Sequence, residues 1–147
     1  MQTVSFDSLA AGQVFTGPGR TLTETDHQLF MMLVGDWHPI HADEAFARES
    51  AFGRRVMHGS FGVALAMGMQ AGVIEFSDPI VGALGLREWT FKGPLFIGDT
   101  VHVEIEILGK RVTSRGDRGI VQRRLKLVNE AGEAVQEGLA DIMVGLG

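Results

Sequence analysis

Ser60-Phe61-Gly62-Val63-Ala64-Leu65-Ala66-Met67-Gly68-Met69-Gln70-Ala71-Gly72-Val73-Ile74 runs without a charged side chain and is apolar nearly all the way round. In a water-soluble chain that pattern means a helix buried on most of its faces. Its glycines each cost roughly 1 kcal/mol relative to alanine in a helix interior, so propensity alone does not select them. Close approach of the helix to a sheet does, because small residues let two backbones pack tightly. Ser60, at the front, is expected to cap the first turn. The stretch falls short of the ~20 apolar residues that a spanning helix needs. It is read as a central, buried helix.

Everything after Pro79 reads as strand. Leu84 to Phe91, Thr100 to Val112, Gly119 to Val128 and Ala134 to Val144 carry β-formers in alternation. Val101, Val103, Ile105 and Ile107 interleave with His102, Glu104 and Glu106, which predicts one buried and one wet face. Gly98-Asp99, Ser114 to Asp117 and Asn129 to Gly132 mark the turns. Short turns between successive strands favour an antiparallel sheet, here wrapped around the central helix in an α+β fold. Before that helix, after an irregular start, Thr23 and its acidic followers open a helix with Leu29, Phe30, Met32 and Leu33 as its apolar face and Gly35 as its stop. Asp43 to Arg48 reads as a second, short helix.

The chain of 147 residues, 45% of them apolar, is long enough for one domain with a real core. No linker, charge block or repeat divides residues 1–147. A formal charge of −5 opposes extensive phosphate neutralisation, so nucleic acid is not an expected partner. The absence of cysteine excludes disulfides and thiolate metal sites. The N-terminus does not read as a signal peptide. A soluble, cytoplasmic protein without a membrane partner is the expectation.

The stretch most charged with chemistry is Gly35-Asp36-Trp37-His38-Pro39-Ile40-His41-Ala42-Asp43, followed by His58-Gly59-Ser60. A carboxylate and an imidazole stand five residues apart with a proline between them. Pro39 removes a backbone donor and biases His38 toward extended geometry, so a bent, fixed loop is expected to present Asp36 and His41.

These residues, with Asp43-Glu44-Ala45-Phe46-Ala47 and the later Phe91-Lys92-Gly93-Pro94-Leu95-Phe96-Ile97-Gly98-Asp99, resemble the MaoC-like (R)-specific enoyl-CoA hydratases. Their motif is close to G-D-x-N-P-[IVL]-H, followed by an H-G pair that opens the central helix. The likeness extends from about Thr21 to Val112. It implies a hotdog fold, a homodimer or higher homo-oligomer, an acyl-CoA thioester as substrate, and no cofactor beyond the CoA of the substrate. It also implies that Asp36 and His41 activate a water, and that the Gly59 N–H stabilises the enolate oxygen. Glycine suits that place because the thioester must approach the backbone closely.

Two positions depart from the pattern. His38 stands where the family has asparagine, and Met67 stands where some hydratases have a serine. His38, His58 and Ser60 are candidate supports of the site, His58 through a hydrogen bond near the helix start. Trp37 and Met67 are candidate walls of an acyl pocket. His38, His41 and Asp43 lack the helical i, i+4 spacing of a histidine metal pair, so no metal is expected. His27 and His102 are expected to face solvent. Arg111, Arg115 and Arg118, with Arg123, Arg124 and Lys126, read either as a solvated hairpin or as contacts to CoA phosphates.

Three functions fit these readings. The leading one is a lyase that hydrates an enoyl thioester or dehydrates the 3-hydroxyacyl thioester. A hotdog thioesterase would direct the water onto the thioester carbonyl instead, and a non-catalytic acyl-CoA-binding subunit would need neither Asp36 nor His41.

Overall fold

The computed structural model describes residues 1–146. Long strands β5 (Ile80–Phe91), β6 (Thr100–Val112), β7 (Arg118–Asn129) and β8 (Ala134–Gly145) pair antiparallel. With short β2 (Val14–Thr16) and β3 (Arg20–Thr21), both on β6, they form a sheet of order β2-β6-β7-β8-β5. β1 (Gln2–Val4) pairs in parallel with β4 (Ile74–Phe76) in a separate ribbon. Strands β1, β2 and β3 lie in the segment before Thr23 expected to be irregular. Two or three residues are too few to display a period, so only their neighbours define them.

Alternation on β6 holds. Val101, Val103, Ile105 and Ile107 are buried, whereas Glu104 and Glu106 meet Lys126 and Arg124 on the outer face. Full burial of such side chains contributes about 1.5–3 kcal/mol each, which makes this strand the floor of the core. β5 begins at Ile80, ahead of the expected Leu84, and bulges shift its register against β8 three times.

Helix α1 (Glu24–Val34) opens on a capping box between Thr23 and Asp26 and ends at Gly35, whose φ of 72° forms a left-handed cap. Its inward face keeps Phe30, which packs against Phe61, but otherwise differs from the expected one. His27 and Met31 are buried, whereas Leu33 is 82% exposed and Leu29 and Met32 are also on the surface. Pro39 does not leave a loop behind it. It occupies the first position of a one-turn helix, α2 (Pro39–Ala42), where its missing N–H removes nothing. Helix α3 (Glu44–Arg48) follows, capped by Asp43, whose carboxylate accepts the Ala45 and Phe46 N–H groups.

The central helix α4 (Gly59–Met69) lies on the inner face of the sheet. It stops five residues before the expected Ile74, at a 3₁₀ turn over Gln70–Gly72, and Ile74 joins β4 instead. Its burial is one-sided: Phe61, Gly62, Leu65 and Ala66 face the core while Ser60, Ala64 and Gly68 are exposed. At Gly62 a side chain would stand 2.6 Å from Cδ of buried Gln136, so glycine permits the close helix-to-sheet contact.

Arg123 belongs to this core and not to a solvated strand face. It donates to the Ala140 carbonyl and to Gln70 Oε1, each at 2.9 Å. Burial pushes its guanidinium down to about 10, with nearby Asp141 opposing the shift, so it stays charged at neutral pH. Its charge sits beside the C-terminal end of α4, where the helix dipole favours a cation. Among the described residues no helix is long and apolar enough to cross a membrane.

Candidate active site

Asp36 follows the cap of α1, His41 rides on α2, and His58 precedes α4. The fold brings the three together, with one donor atom from each within 4.8 Å of the others. Asp36 Oδ1 accepts the His38 N–H at 3.2 Å, a local turn that leaves Oδ2 directed at the histidines. Oδ2 lies 3.9 Å from His41 Nε2 and 3.6 Å from His58 Nε2.

The hydrogen bonds fix the histidine tautomers. His41 Nδ1 donates to the Val56 carbonyl at 2.6 Å, so in the neutral ring Nε2 carries the lone pair toward Asp36. His58 Nε2 donates to the Asp36 carbonyl at 3.0 Å. Burial holds the His58 imidazole below its ordinary value of 6.5, and nearby His41 adds to the shift while the Asp36 carbonyl and carboxylate oppose it. The neutral ring is therefore favoured.

These donors fit a metal poorly. The His41 and His58 rings stack at 3.8 Å with planes 25° apart. An ion bonded in the plane of one ring would lie well out of the plane of the other.

A cavity of about 440 Å³ opens beside His41 and reaches Gly59 at the start of α4. Its walls include Ile40, Phe52, Val56 and Phe91. Helix α4 has no side-chain cap at His58, so amide groups of its first turn remain open toward this end. Gly59 is fixed from behind: Gln136 Nε2 donates to its carbonyl at 3.1 Å, and Trp89 Nε1 donates to Gln136 Oε1 at 3.1 Å.

Other sequence candidates fall elsewhere. Ser60 is exposed inside the first turn of α4 and does not cap it. His38 caps α2, its Nδ1 accepting the Ile40 N–H at 3.2 Å. An asparagine can do the same, so the His38 departure keeps the local structure. Trp37 is more than half exposed and is not among the residues lining the cavity. Met67 lies two turns further along α4, partly buried against the core, with its sulfur 3.7 Å from Gln70 Nε2.

Arg115 and Arg118 sit at the β6–β7 turn, where Arg118 pairs with Gly145, whereas Gln136 marks the cavity end of β8. Nine strand residues at about 3.3 Å each put roughly 30 Å between them.

Sequence reasoning missed His27 and Gln136. His27 is fully buried, not solvent-facing, and its Nε2 meets the His41 carbonyl at 2.8 Å. Its spacing from Met31 was the available signal. Gln136 shares the inward register of Gly138, Ala140 and Ile142, a polar residue on an apolar face. Arg55 was missed too. It pairs with Glu24 and Glu44, tying α1 to α3 directly before Val56. Its hydrogen bonds hold the Glu24 carboxyl below the usual range.

The sequence profile of the family described as MaoC like domain matches residues 6–129. The chain is 37% identical over 109 residues to Protein MaoC of Klebsiella aerogenes, covering 73% of this chain but only 31% of that protein. It is 31% identical over 145 residues to an (R)-specific enoyl-CoA hydratase of Rhodospirillum rubrum, covering 95% and 90% of the two. The crystal structure of a MaoC-like dehydratase from Rhodospirillum rubrum superposes with a TM-score of 0.85 at 28% identity over 97% of each chain. An antiparallel sheet folded over one helix in this order is the hotdog fold.

Proposed function

The chain belongs to the family of MaoC-like domains, and from that premise we propose that it is a hydro-lyase acting on an acyl-CoA thioester. It adds water to a 2-enoyl thioester, or removes water from the (R)-3-hydroxyacyl thioester. The observation that carries this reading is the 3.9 Å gap between Asp36 Oδ2 and the lone-pair nitrogen of His41. That gap is too long for a direct hydrogen bond and suits one water bonded to both. Asp36 takes a proton from the water as its oxygen attacks Cβ. The pair then returns a proton to Cα. General acid–base assistance of this kind contributes roughly 10²–10⁴-fold.

Charge develops on the thioester oxygen during attack. The Gly59 N–H at the positive end of α4 receives it, and the glycine permits close approach. The apolar walls of the cavity exclude bulk water and hold the acyl group. No step requires a metal or redox group. The name of the Rhodospirillum rubrum relative supports the (R) stereochemistry.

The active form is a homodimer in the cytoplasm. Phe91 lines the cavity and ends the exposed edge strand β5, so a second copy paired on that edge closes the open side of the site.

The test is loss of enoyl absorbance when the protein meets crotonyl-CoA and longer analogues. Asp36→Asn and His41→Gln each lower the rate at least a hundredfold, and no free thiol appears. Equal rates in the variants overturn this reading, and thiol release points to a thioesterase.

A further inference from the structure

We propose that His27 is a positioning residue for His41, holding α2 from behind through its Nε2–H. The inference rests on the assignment of Asp36 and His41 to the reaction. His27 is completely buried on α1. A buried imidazole is stabilised only where its polar atoms are bonded, yet just one of its two nitrogens has a partner. That partner is the His41 carbonyl at 2.8 Å. A carbonyl only accepts, so Nε2 carries the proton and Nδ1 is left as a lone pair without a donor. An apolar side chain would fill this place without stranding Nδ1. What it would not do is satisfy the carbonyl at the end of a four-residue helix, which has no continuing turn to bond it.

His41 is thereby fixed at two points. The Val56 carbonyl sets the rotation of the ring, and His27 sets the position of the backbone that carries it. The anchor itself is stiff. Helix α1 is closed by its capping box and tied through Glu24 to Arg55, one residue before Val56. One frame therefore holds both points, and the 3.9 Å gap to Asp36 depends on it. The His27 ring also packs 5.7 Å from that of His58, so α1 supports the whole stack.

The experiment compares His27→Phe, which fills the space and cannot donate, with His27→Gln, whose amide nitrogen can reach the same carbonyl. Steady-state hydration of crotonyl-CoA is measured for both beside wild type and Asp36→Asn, and histidine-ring ¹⁵N spectra are recorded for wild type. The phenylalanine variant loses ten- to a hundredfold in kcat with KM within twofold, and glutamine restores kcat to within about threefold. The spectra show His27 protonated on Nε2 and His41 on Nδ1. An unchanged kcat in His27→Phe, or equal losses in both variants, overturns the role while Asp36→Asn stays inactive. If Asp36→Asn turns over like wild type, the hydro-lyase assignment itself fails. Should the phenylalanine variant not fold or crotonyl-CoA not react, the wild-type spectra decide, and an Nδ1–H tautomer at His27 overturns the proposal.

Discussion

His41 and His58 lie ring against ring, 3.8 Å between centroids and 25° from parallel. Two imidazolium ions could not share that contact without strong repulsion, and of the two rings His58 is the one whose surroundings favour the neutral form. Burial keeps it so, at 3% exposure, against the opposing pull of its hydrogen bond to the Asp36 carbonyl.

Stability should follow His58 with pH. Its folded value lies below the ordinary 6.5, so the unfolded chain binds its proton more readily. The contribution is complete above about pH 6.5 and is lost as pH falls through the depressed folded value. Melting temperatures measured from pH 8 to pH 5 should decline on the acid side, and less steeply in His58→Gln. Parallel declines would mean that another group governs acid stability.

The His38 cap gives a sharper contrast. Asparagine accepts the same Ile40 N–H, so His38→Asn should leave stability and turnover close to wild type. His38→Ala removes the cap and should destabilise by roughly 0.5–2 kcal/mol, with kcat reduced because α2 carries His41. Denaturant midpoints and initial rates on the three proteins check this. A loss in the asparagine variant as large as that in alanine would assign the imidazole a part of its own.

Much of this arrangement was legible in the sequence, for identifiable reasons. Alternation along Val101 to Ile107 marks a long strand because a buried face repeats every second residue. The stop at Gly35 and the cap at Thr23 are local chemistry, visible without a fold. His27 was hidden because polarity suggests exposure, and its partner is a backbone carbonyl, which no residue identity announces. The apolar face of α1 was misread because Leu29, Met32 and Leu33 do recur at helical spacing yet lie outward in one chain. Arg123 was misplaced for the same kind of reason: charge pointed outward, while its neighbours across the core were separated from it in sequence.

Gly62 tests the contact between α4 and the sheet. A methyl group there would meet the Gln136 amide, which bridges Trp89 and the Gly59 carbonyl. Gly62→Ala should destabilise by about 1–3 kcal/mol through overpacking. For a chain of this length that corresponds to a fall of about 2–4 °C in Tm per kcal/mol. Because Gln136 steadies the start of α4, kcat should fall as well. A melting curve that matches wild type would show that Gln136 moves aside freely.

Strand β5 supplies the prediction with the widest reach. It is twelve residues long, bonded to β8 along one edge, and carries Ile80, Val81, Leu84, Leu86 and Phe91 at 42–59% exposure. A long apolar edge strand invites another strand, and its bulges do not hide these side chains. Sedimentation of the wild type should therefore give twice the mass of one chain. Leu84→Lys combined with Leu86→Lys would set like charges against each other across a two-fold contact. The variant should sediment as a monomer that remains folded, since both side chains are already exposed. Its turnover should fall along with its mass, because the cavity beside Phe91 would lose the wall that a second copy provides. A dimer that survives both lysines would move the interface off this edge, and a monomer with full activity would mean that one chain completes the site alone.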